Sequence, residues 1–119
     1  RKESPWLAEV APDQPVTLRQ LLTHTSGFDD HAVGMFARTE EDIEPLSAYL
    51  KRRMPKRTTE PGRWARYSNH GVALAGEAAA GSGTGGFPEM VRNGVFGPLG
   101  MESSSFKQPL PPALLDRLA

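Results

Sequence analysis

The chain has 119 residues, enough for one domain with a modest core. Its 14 lysines and arginines balance 14 aspartates and glutamates, so no overall field favours nucleic acid or an anionic membrane. The lack of cysteine excludes disulfides, thiolate metal sites and a cysteine nucleophile, but it leaves the compartment open. No apolar stretch is long enough to predict a membrane span. Because the chain begins at Arg1, we expect residues 1–119 to be a single segment of a longer protein.

The first predicted helix spans about 17–24 and follows an irregular, proline-rich lead-in. Thr17 is placed to cap this helix, and Gln20, three residues later, completes a capping box. Val16 precedes the cap, where it can pack back onto the helix. Gly27 offers the left-handed residue that commonly closes a helix, so we expect it to end this one.

A second helix is predicted at about 43–53, because apolar residues recur there at helical spacing. Acidic residues precede it, and we expect Pro45 in its first turn and Pro55 beyond its end. The basic run that follows favours a solvated face over a nucleic-acid or phosphate site, since cations are common at a helix C-terminus. This run consists of Lys51, Arg52, Arg53, Lys56 and Arg57.

The segment Glu-Pro-Gly-Arg at 60–63 predicts a type II turn, since proline and glycine occupy its two central positions. A short extended stretch follows. Ser68 or Asn69 is then placed to cap a third helix at about 70–80, whose small residues allow a neighbouring element to approach closely.

Beyond this helix, the glycine-rich residues 81–86 favour a flexible linker over a phosphate loop, because no lysine follows them. A further helix is predicted at about 88–96, and a short one near the end of the chain. The predicted fold is therefore mainly α, with the helices sharing one core. Its expected main members are Leu21, Leu22, Leu50, Leu74 and Phe96.

Three sequence blocks are similar to those of one enzyme family. They are 16–28 (VTLRQLLTHTSGF), 60–76 (EPGRWARYSNHGVALAG) and 95–106 (VFGPLGMESSSF). In order and approximate spacing they resemble the serine β-lactamase-like, penicillin-binding-protein-like family, which includes class C β-lactamases, D,D-carboxypeptidases and esterases. The resemblance implies that the chain is the helical lobe, of about four helices, of an α/β serine hydrolase. It also implies that the sheet of the α/β domain lies outside this chain.

By this resemblance, Tyr67 corresponds to the catalytic tyrosine that moves the proton of the nucleophilic serine, and Asn69 to the asparagine that binds the lysine and the substrate. A phenol can act as a base only if nearby cations lower its pKa from about 10. In the family a Ser-x-x-Lys motif and a later basic motif supply that field. We expect the nucleophilic serine and its lysine upstream of Arg1, and the chain contains no Lys-Thr-Gly.

Other sites are less favoured. His24 and Ser26 lie two residues apart, but the serine lacks the Gly-x-Ser-x-Gly elbow. His24, His31 and His70 lack a zinc spacing, and neither a metal nor a cofactor is implied.

The resemblance implies a β-lactam, a D-Ala-D-Ala peptide or an ester as substrate, and it makes a periplasmic or secreted location plausible. The alternative is a non-catalytic helical module that binds a peptide or a partner protein. A Ser-x-x-Lys motif upstream of Arg1 would favour the enzyme. If the chain is a lobe, we expect Trp6, Trp64 and Leu99 to be uncovered.

Overall fold

The computed structural model describes residues 15–81 and 85–117. The predicted lead-in, with Trp6, and the middle of the predicted linker lie outside the described residues. Within the described part, the fold is helical, and the only strand-like pairing is one isolated β-bridge. The α-helices are α1 (Leu18–Leu22), α2 (Leu46–Arg52), α3 (Asn69–Ala80), α4 (Gly86–Val91) and α5 (Pro112–Leu115). The mainly α fold predicted from the sequence is confirmed.

Helix α1 begins as predicted and ends earlier than predicted. The Gln20 amide donates to Thr17 Oγ1 at 3.2 Å and the Thr17 amide donates to Gln20 Oε1 at 2.9 Å, which is the predicted capping box. The prediction that Gly27 closes the helix is wrong. The left-handed residue after α1 is His24 (φ 57°), which turns the chain three residues earlier.

Gly27 serves a different purpose, because it lets two loop segments meet. Its carbonyl oxygen accepts hydrogen bonds from the amides of Thr58 (2.8 Å) and Thr59 (3.4 Å). A Cβ at Gly27 would lie 2.1 Å from the Thr59 carbonyl oxygen, so no other residue fits at this distance. The Asp29 amide donates to the Lys56 carbonyl at 3.0 Å, and the isolated antiparallel β-bridge joins the backbones of Phe28 and Arg57. This pairing fixes the backbone that leads into Asp30.

The second helix also differs from its prediction at the N-terminus. Glu40–Asp42 form a separate 3₁₀ turn, and α2 starts only at Leu46, with Pro45 at its N-cap position. A proline restricts the residue before it to extended backbone, so one helix could not continue from position 43 through Pro45. The predicted placement of Pro45 inside the first turn is therefore wrong.

Helix α3 is the centre of the packing, because α1, α2 and α4 each contact it. Ser68 is its N-cap, and its Oγ accepts a hydrogen bond from the Gly71 amide at 2.9 Å, as predicted. The buried apolar residues are Leu21, Phe28, Leu50, Leu74 and Ala75. Leu22, predicted to be buried, is 58% exposed because the α1 face that meets α3 carries Leu21 instead.

The predicted helix 88–96 is an α-helix followed by a π-helical turn. Helix α4 ends at Val91, and Arg92–Phe96 continue as the π turn, in which the Gly97 amide donates to the Arg92 carbonyl at 2.8 Å. Phe96 lies outside the main core and stacks on Phe106, with ring centroids 5.8 Å apart. Its predicted place in the core is therefore wrong.

Phe87 of α4 packs on Gly76 of α3, where a Cβ would lie 3.2 Å from the ring. This contact is the close approach that the small residues of the third helix predicted. No helix in the described part of the chain is both long and apolar enough to cross a membrane.

Candidate active site

The start of α3 carries the two residues that the sequence singled out. The Tyr67 hydroxyl donates a hydrogen bond to Asn69 Oδ1 at 2.8 Å. Tyr67 is 65% exposed, whereas Ser68 between them is buried. The phenol and the carboxamide therefore face the same accessible space because the intervening residue turns inward to cap the helix.

His24 holds the backbone on both sides of Tyr67. Its carbonyl oxygen accepts from the Arg66 amide at 2.8 Å, and its ring Nδ1 accepts from the Ser68 amide at 3.2 Å. The imidazole ring also packs against the Tyr67 ring, with centroids 4.7 Å apart. A ring nitrogen that accepts from an amide is unprotonated, so the neutral His24 carries its proton on Nε2. His24 thus locates Tyr67, which is a role the sequence did not indicate.

Asp30 connects to the other side of the same helix start. One carboxylate oxygen, Oδ1, accepts from the His70 amide at 3.2 Å and, at 3.5 Å, from the Ser68 hydroxyl. The other oxygen, Oδ2, accepts from Asn69 Nδ2 at 3.1 Å. These partners are 38 to 40 residues away in the chain. The carboxylate therefore binds the amide end of Asn69 and one of the free N–H groups of α3.

Two opposing effects act on the Asp30 carboxyl. Partial burial raises its pKa, but hydrogen bonds from the backbone and side chain of Asn69 and from the amides of His70 and His31 lower it by more. The resulting pKa lies below the usual 3.8. Asp30 is therefore an ionised acceptor at neutral pH.

Sequence reasoning missed Asp30 because it lies just beyond the first matched block, and its partners are distant in sequence. The only available signal was a pair of acids directly after a Gly-Phe turn, which is also common on surfaces.

His70 follows Asn69 and points into the core. It is 3% exposed, and within the described residues neither of its ring nitrogens has a hydrogen-bond partner. Its ring stacks on that of His31, with centroids 5.6 Å apart, and lies 6.0 Å from the Tyr49 ring. Burial lowers its pKa, nearby His31 lowers it further and Asp30 partly opposes both, which leaves the pKa at about 4. His70 is neutral at physiological pH.

The cations nearest to Tyr67 in sequence face carboxylates. Arg66 lies 3.2 Å from Asp29 and donates to Thr58 Oγ1 at 3.1 Å. Arg63 lies 3.6 Å from Glu60, across the turn at 60–63. That turn has the predicted form, with Gly62 at φ 84° and a hydrogen bond from the Arg63 amide to the Glu60 carbonyl. The positive charge of both arginines is therefore partly offset by neighbouring acids.

Ser26 does not fit the role of a nucleophile in this chain. It is only 2% exposed, so a substrate could not reach its hydroxyl, and the Nδ1 of His24 is occupied by the Ser68 amide. Among the described residues, no cluster of three or more histidines, aspartates or glutamates could hold a metal ion.

One Ser-x-x-Lys spacing does occur in the chain, at Ser104 to Lys107, although we expected such a motif only upstream of Arg1. Its backbone is not helical, so the spacing does not place the two side chains on one helix face. The Lys107 ammonium lies 2.8 Å from Glu89, in the C-terminal part of the described chain. This spacing therefore does not form a serine–lysine pair.

Two of the three apolar residues expected to be uncovered are exposed. Trp64, three residues before Tyr67, and Leu99, after the π turn, both have most of their surface in solvent. Trp6 lies outside the described residues. Tyr67 is therefore preceded by an exposed apolar ring, which a second surface could cover.

The chain is similar to proteins of one known family. The family model described as "Beta-lactamase" matches residues 4–117. A protein of Bacillus subtilis (strain 168) named "Putative penicillin-binding protein PbpX" is 33% identical over 113 residues, which cover 91% of this chain and 27% of that protein. The chain thus spans about a quarter of the length of this curated relative. No solved structure matches it with statistical significance. Because the family model matches nearly the whole chain, the chain belongs to the β-lactamase family.

Proposed function

We propose that this chain is the helical lobe of a serine hydrolase that works through an acyl-enzyme, and that Tyr67 and Asn69 are its contribution to the active site. The observation that carries the proposal is the 2.8 Å hydrogen bond from the Tyr67 hydroxyl to Asn69 Oδ1 at an accessible helix start. In this role Tyr67 takes the proton from the nucleophilic serine and returns it to the leaving group. Asn69 binds the catalytic lysine and the acyl-side amide of the substrate.

The surroundings of Tyr67 indicate that this lobe supplies the phenol and that the rest of the protein supplies the positive charge that activates it. A phenol becomes an effective base only when positive charge stabilises its phenolate. Arg63 and Arg66 both face acids, so they contribute little of that charge. The positive charge that stabilises the phenolate would come from a lysine of a Ser-x-x-Lys motif. An α/β domain that packs on the Tyr67 face would carry this motif. That domain would also cover Trp64.

The proposed substrates are compounds whose acyl carbon is bonded to nitrogen or oxygen: a β-lactam, a D-Ala-D-Ala peptide or an ester. All three react at a carbonyl carbon and release a nitrogen or oxygen leaving group that needs a proton, which Tyr67 can supply. No metal or cofactor is required for this sequence of steps. Nucleic acid is not a proposed partner, since acidic residues balance the basic ones.

The test is turnover of a chromogenic cephalosporin and of a p-nitrophenyl ester by the intact protein and by its Tyr67→Phe variant. The substitution keeps the ring that packs on His24 and removes only the hydroxyl. General acid–base catalysis is typically worth about 10²- to 10⁴-fold, so we expect kcat to fall by about that factor. The lobe expressed alone should be inactive because the nucleophile is proposed to lie outside it.

Tyr49→Phe is the matched control. It removes the other tyrosine hydroxyl of the chain, which donates to the Val33 carbonyl at 3.3 Å, and it should leave kcat unchanged. Full activity of Tyr67→Phe would remove Tyr67 from the mechanism. If the intact protein binds these compounds but turns over neither of them, the non-catalytic binding module becomes the better interpretation.

A further inference from the structure

We propose that Asp30 is a positioning residue that sets which end of the Asn69 carboxamide faces the active site. This inference rests on the proposed function of Tyr67 and Asn69. Asp30 lies outside the three sequence blocks that resemble the family. Its carboxylate adds a polar contact to the pair formed by Tyr67 and Asn69.

The two side chains differ in whether they can donate or accept hydrogen bonds. A carboxamide has one end that accepts hydrogen bonds and one that donates them, and the two orientations have almost the same shape. An ionised carboxylate can only accept. Because Asp30 Oδ2 lies 3.1 Å from the Asn69 carboxamide, that carboxamide must direct its NH₂ towards Asp30. Its oxygen is then directed towards Tyr67, whose hydroxyl donates to it at 2.8 Å.

The second oxygen of Asp30 prevents the carboxylate from turning away. Oδ1 accepts from the His70 amide, which belongs to the first turn of α3 and is fixed by the helix. The two oxygens therefore bind two different donors of the same helix start, one of the backbone and one of the side chain. The backbone of Asp30 follows directly on the pairing of Asp29 with Lys56. The start of α3 thus holds the carboxylate of Asp30, and the pairing of Asp29 with Lys56 holds the backbone that precedes it.

The orientation of the Asn69 carboxamide decides whether the site presents a hydrogen-bond acceptor or a donor beside Tyr67. With Asn69 Oδ1 directed towards Tyr67, the site presents an acceptor where the proposed lysine ammonium and substrate N–H need one. In the opposite orientation the site would present an NH₂ group, and Tyr67 would have to accept a hydrogen bond from it. The proposed lysine ammonium, which can only donate, would then find no acceptor on the side of Asn69 that faces Tyr67.

Asp30→Asn tests this inference, because the substitution keeps the shape of the side chain and replaces one acceptor by a donor. If the introduced carboxamide directs its oxygen to the His70 amide, its NH₂ meets the NH₂ of Asn69, and the Asn69 carboxamide is driven to rotate. We expect kcat of the intact protein to fall by about 10- to 100-fold because the reacting groups are misaligned, with a smaller rise in KM because Asn69 also contacts the substrate amide. The melting temperature, measured alongside, reports any loss of fold.

Asp29→Asn is the matched control. It makes the same chemical change at the preceding residue, whose carboxylate faces Arg66, and it should retain wild-type kcat. An equal loss in both variants would attribute the effect to lost charge and overturn the assignment to Asp30.

A second measurement does not depend on activity. In the intact protein labelled with ¹⁵N-asparagine, the side-chain NH₂ resonances of Asn69, assigned from their absence in Asn69→Ala, should shift when Asp30 is protonated in acid. Asp30→Asn should abolish this shift. If Asn69 resonances in the wild type do not respond to acid, the inference is overturned, even if Asp30→Asn fails to fold.

The outcomes separate this inference from the proposed function. Loss of activity in Tyr67→Phe together with wild-type kcat in Asp30→Asn would refute the role of Asp30 alone. Full activity in Tyr67→Phe would refute the proposed function, and the NMR titration would still decide whether Asp30 holds the Asn69 carboxamide.

Discussion

The two described stretches of the chain, 15–81 and 85–117, are held together differently. The first contains all five buried apolar residues of the described chain, and its side-chain hydrogen bonds join positions up to 44 residues apart. The second contains no buried residue among those described. Two of its rings, Phe87 and Phe96, pack on the third, Phe106, and Lys107 forms a partly exposed ion pair with Glu89.

This difference explains where the candidate site lies. Side chains that must keep their geometry to within a fraction of an ångström need neighbours that cannot move. The start of α3 has such neighbours in His24, Asp30 and the core around Leu74. Residues 85–117 expose Leu99, Met101 and Leu115 and hold no part of the candidate site. Exposed apolar side chains of this kind can be covered by another surface.

The largest expected difference between the two stretches comes from removing one apolar side chain from each. Leu74 is 0% exposed, so Leu74→Ala leaves a cavity and should lower the free energy of unfolding by about 2–5 kcal/mol. Phe106 is larger but 53% exposed, and Phe106→Ala should cost only about 1–2 kcal/mol. Chemical denaturation of the intact protein measures both. An equal cost would show that residues 85–117 are covered in the intact protein.

A smaller difference is expected when alanine replaces one glycine in each stretch. Gly27 and Gly100 both have positive φ, which costs alanine about 1–2 kcal/mol in each case. A Cβ at Gly100 meets no atom within 4 Å, whereas at Gly27 it would meet the Thr59 carbonyl at 2.1 Å and disturb the hydrogen bonds of Thr58 and Thr59. Gly27→Ala should therefore cost about 3–4 kcal/mol in all, since each of the two lost hydrogen bonds adds roughly 1 kcal/mol.

Denaturant midpoints of the two variants measure this difference. Equal losses in Gly27→Ala and Gly100→Ala would mean that the pairing of 27–29 with 56–58 is dispensable. In that case the pairing would not be what holds the backbone of Asp30 in place.

The caps and the turn that the sequence predicted correctly depend on residues close together in the chain. The capping box of Thr17 and Gln20, the Ser68 cap and the glycine turn at 60–63 each involve at most four consecutive residues. The failures involve competition or distance. His24 closes α1 before Gly27 is reached, and Pro45 delays α2 because the residue before a proline avoids helical backbone.

The candidate site divides in the same way. Tyr67 and Asn69 could be named because they lie two residues apart in a matched block. The contributions of Asp30 and His24 depend on contacts that span 38 to 44 residues, and no local pattern encodes such contacts. A residue that positions a site from a distant loop is therefore found only when the fold brings its partners together.

The smallest predicted effect uses pH to test the buried side of the site. The pKa of His70 is lowered from 6.5 to about 4 in the folded protein because its ring is buried and faces His31, with Asp30 opposing the shift. Between these two values the unfolded chain binds a proton that the folded chain excludes, so stability must fall as pH falls through this window. Above pH 6.5 both states are neutral, and below about 4 both are protonated.

Lowering the pH from about 7 to about 5 should therefore cost about 2 kcal/mol of stability through His70 alone. Chemical denaturation at pH 7, 6 and 5 measures the total loss, and His70→Phe isolates this contribution. Phenylalanine fills nearly the same space beside the His31 and Tyr49 rings, does not titrate and needs no hydrogen-bond partner, as neither ring nitrogen has one in the described structure. The variant should lose about 2 kcal/mol less than the wild type over this range. Parallel pH profiles would mean that His70 is hydrated in solution, and that the helix start carrying Asn69 is less tightly packed than its burial indicates.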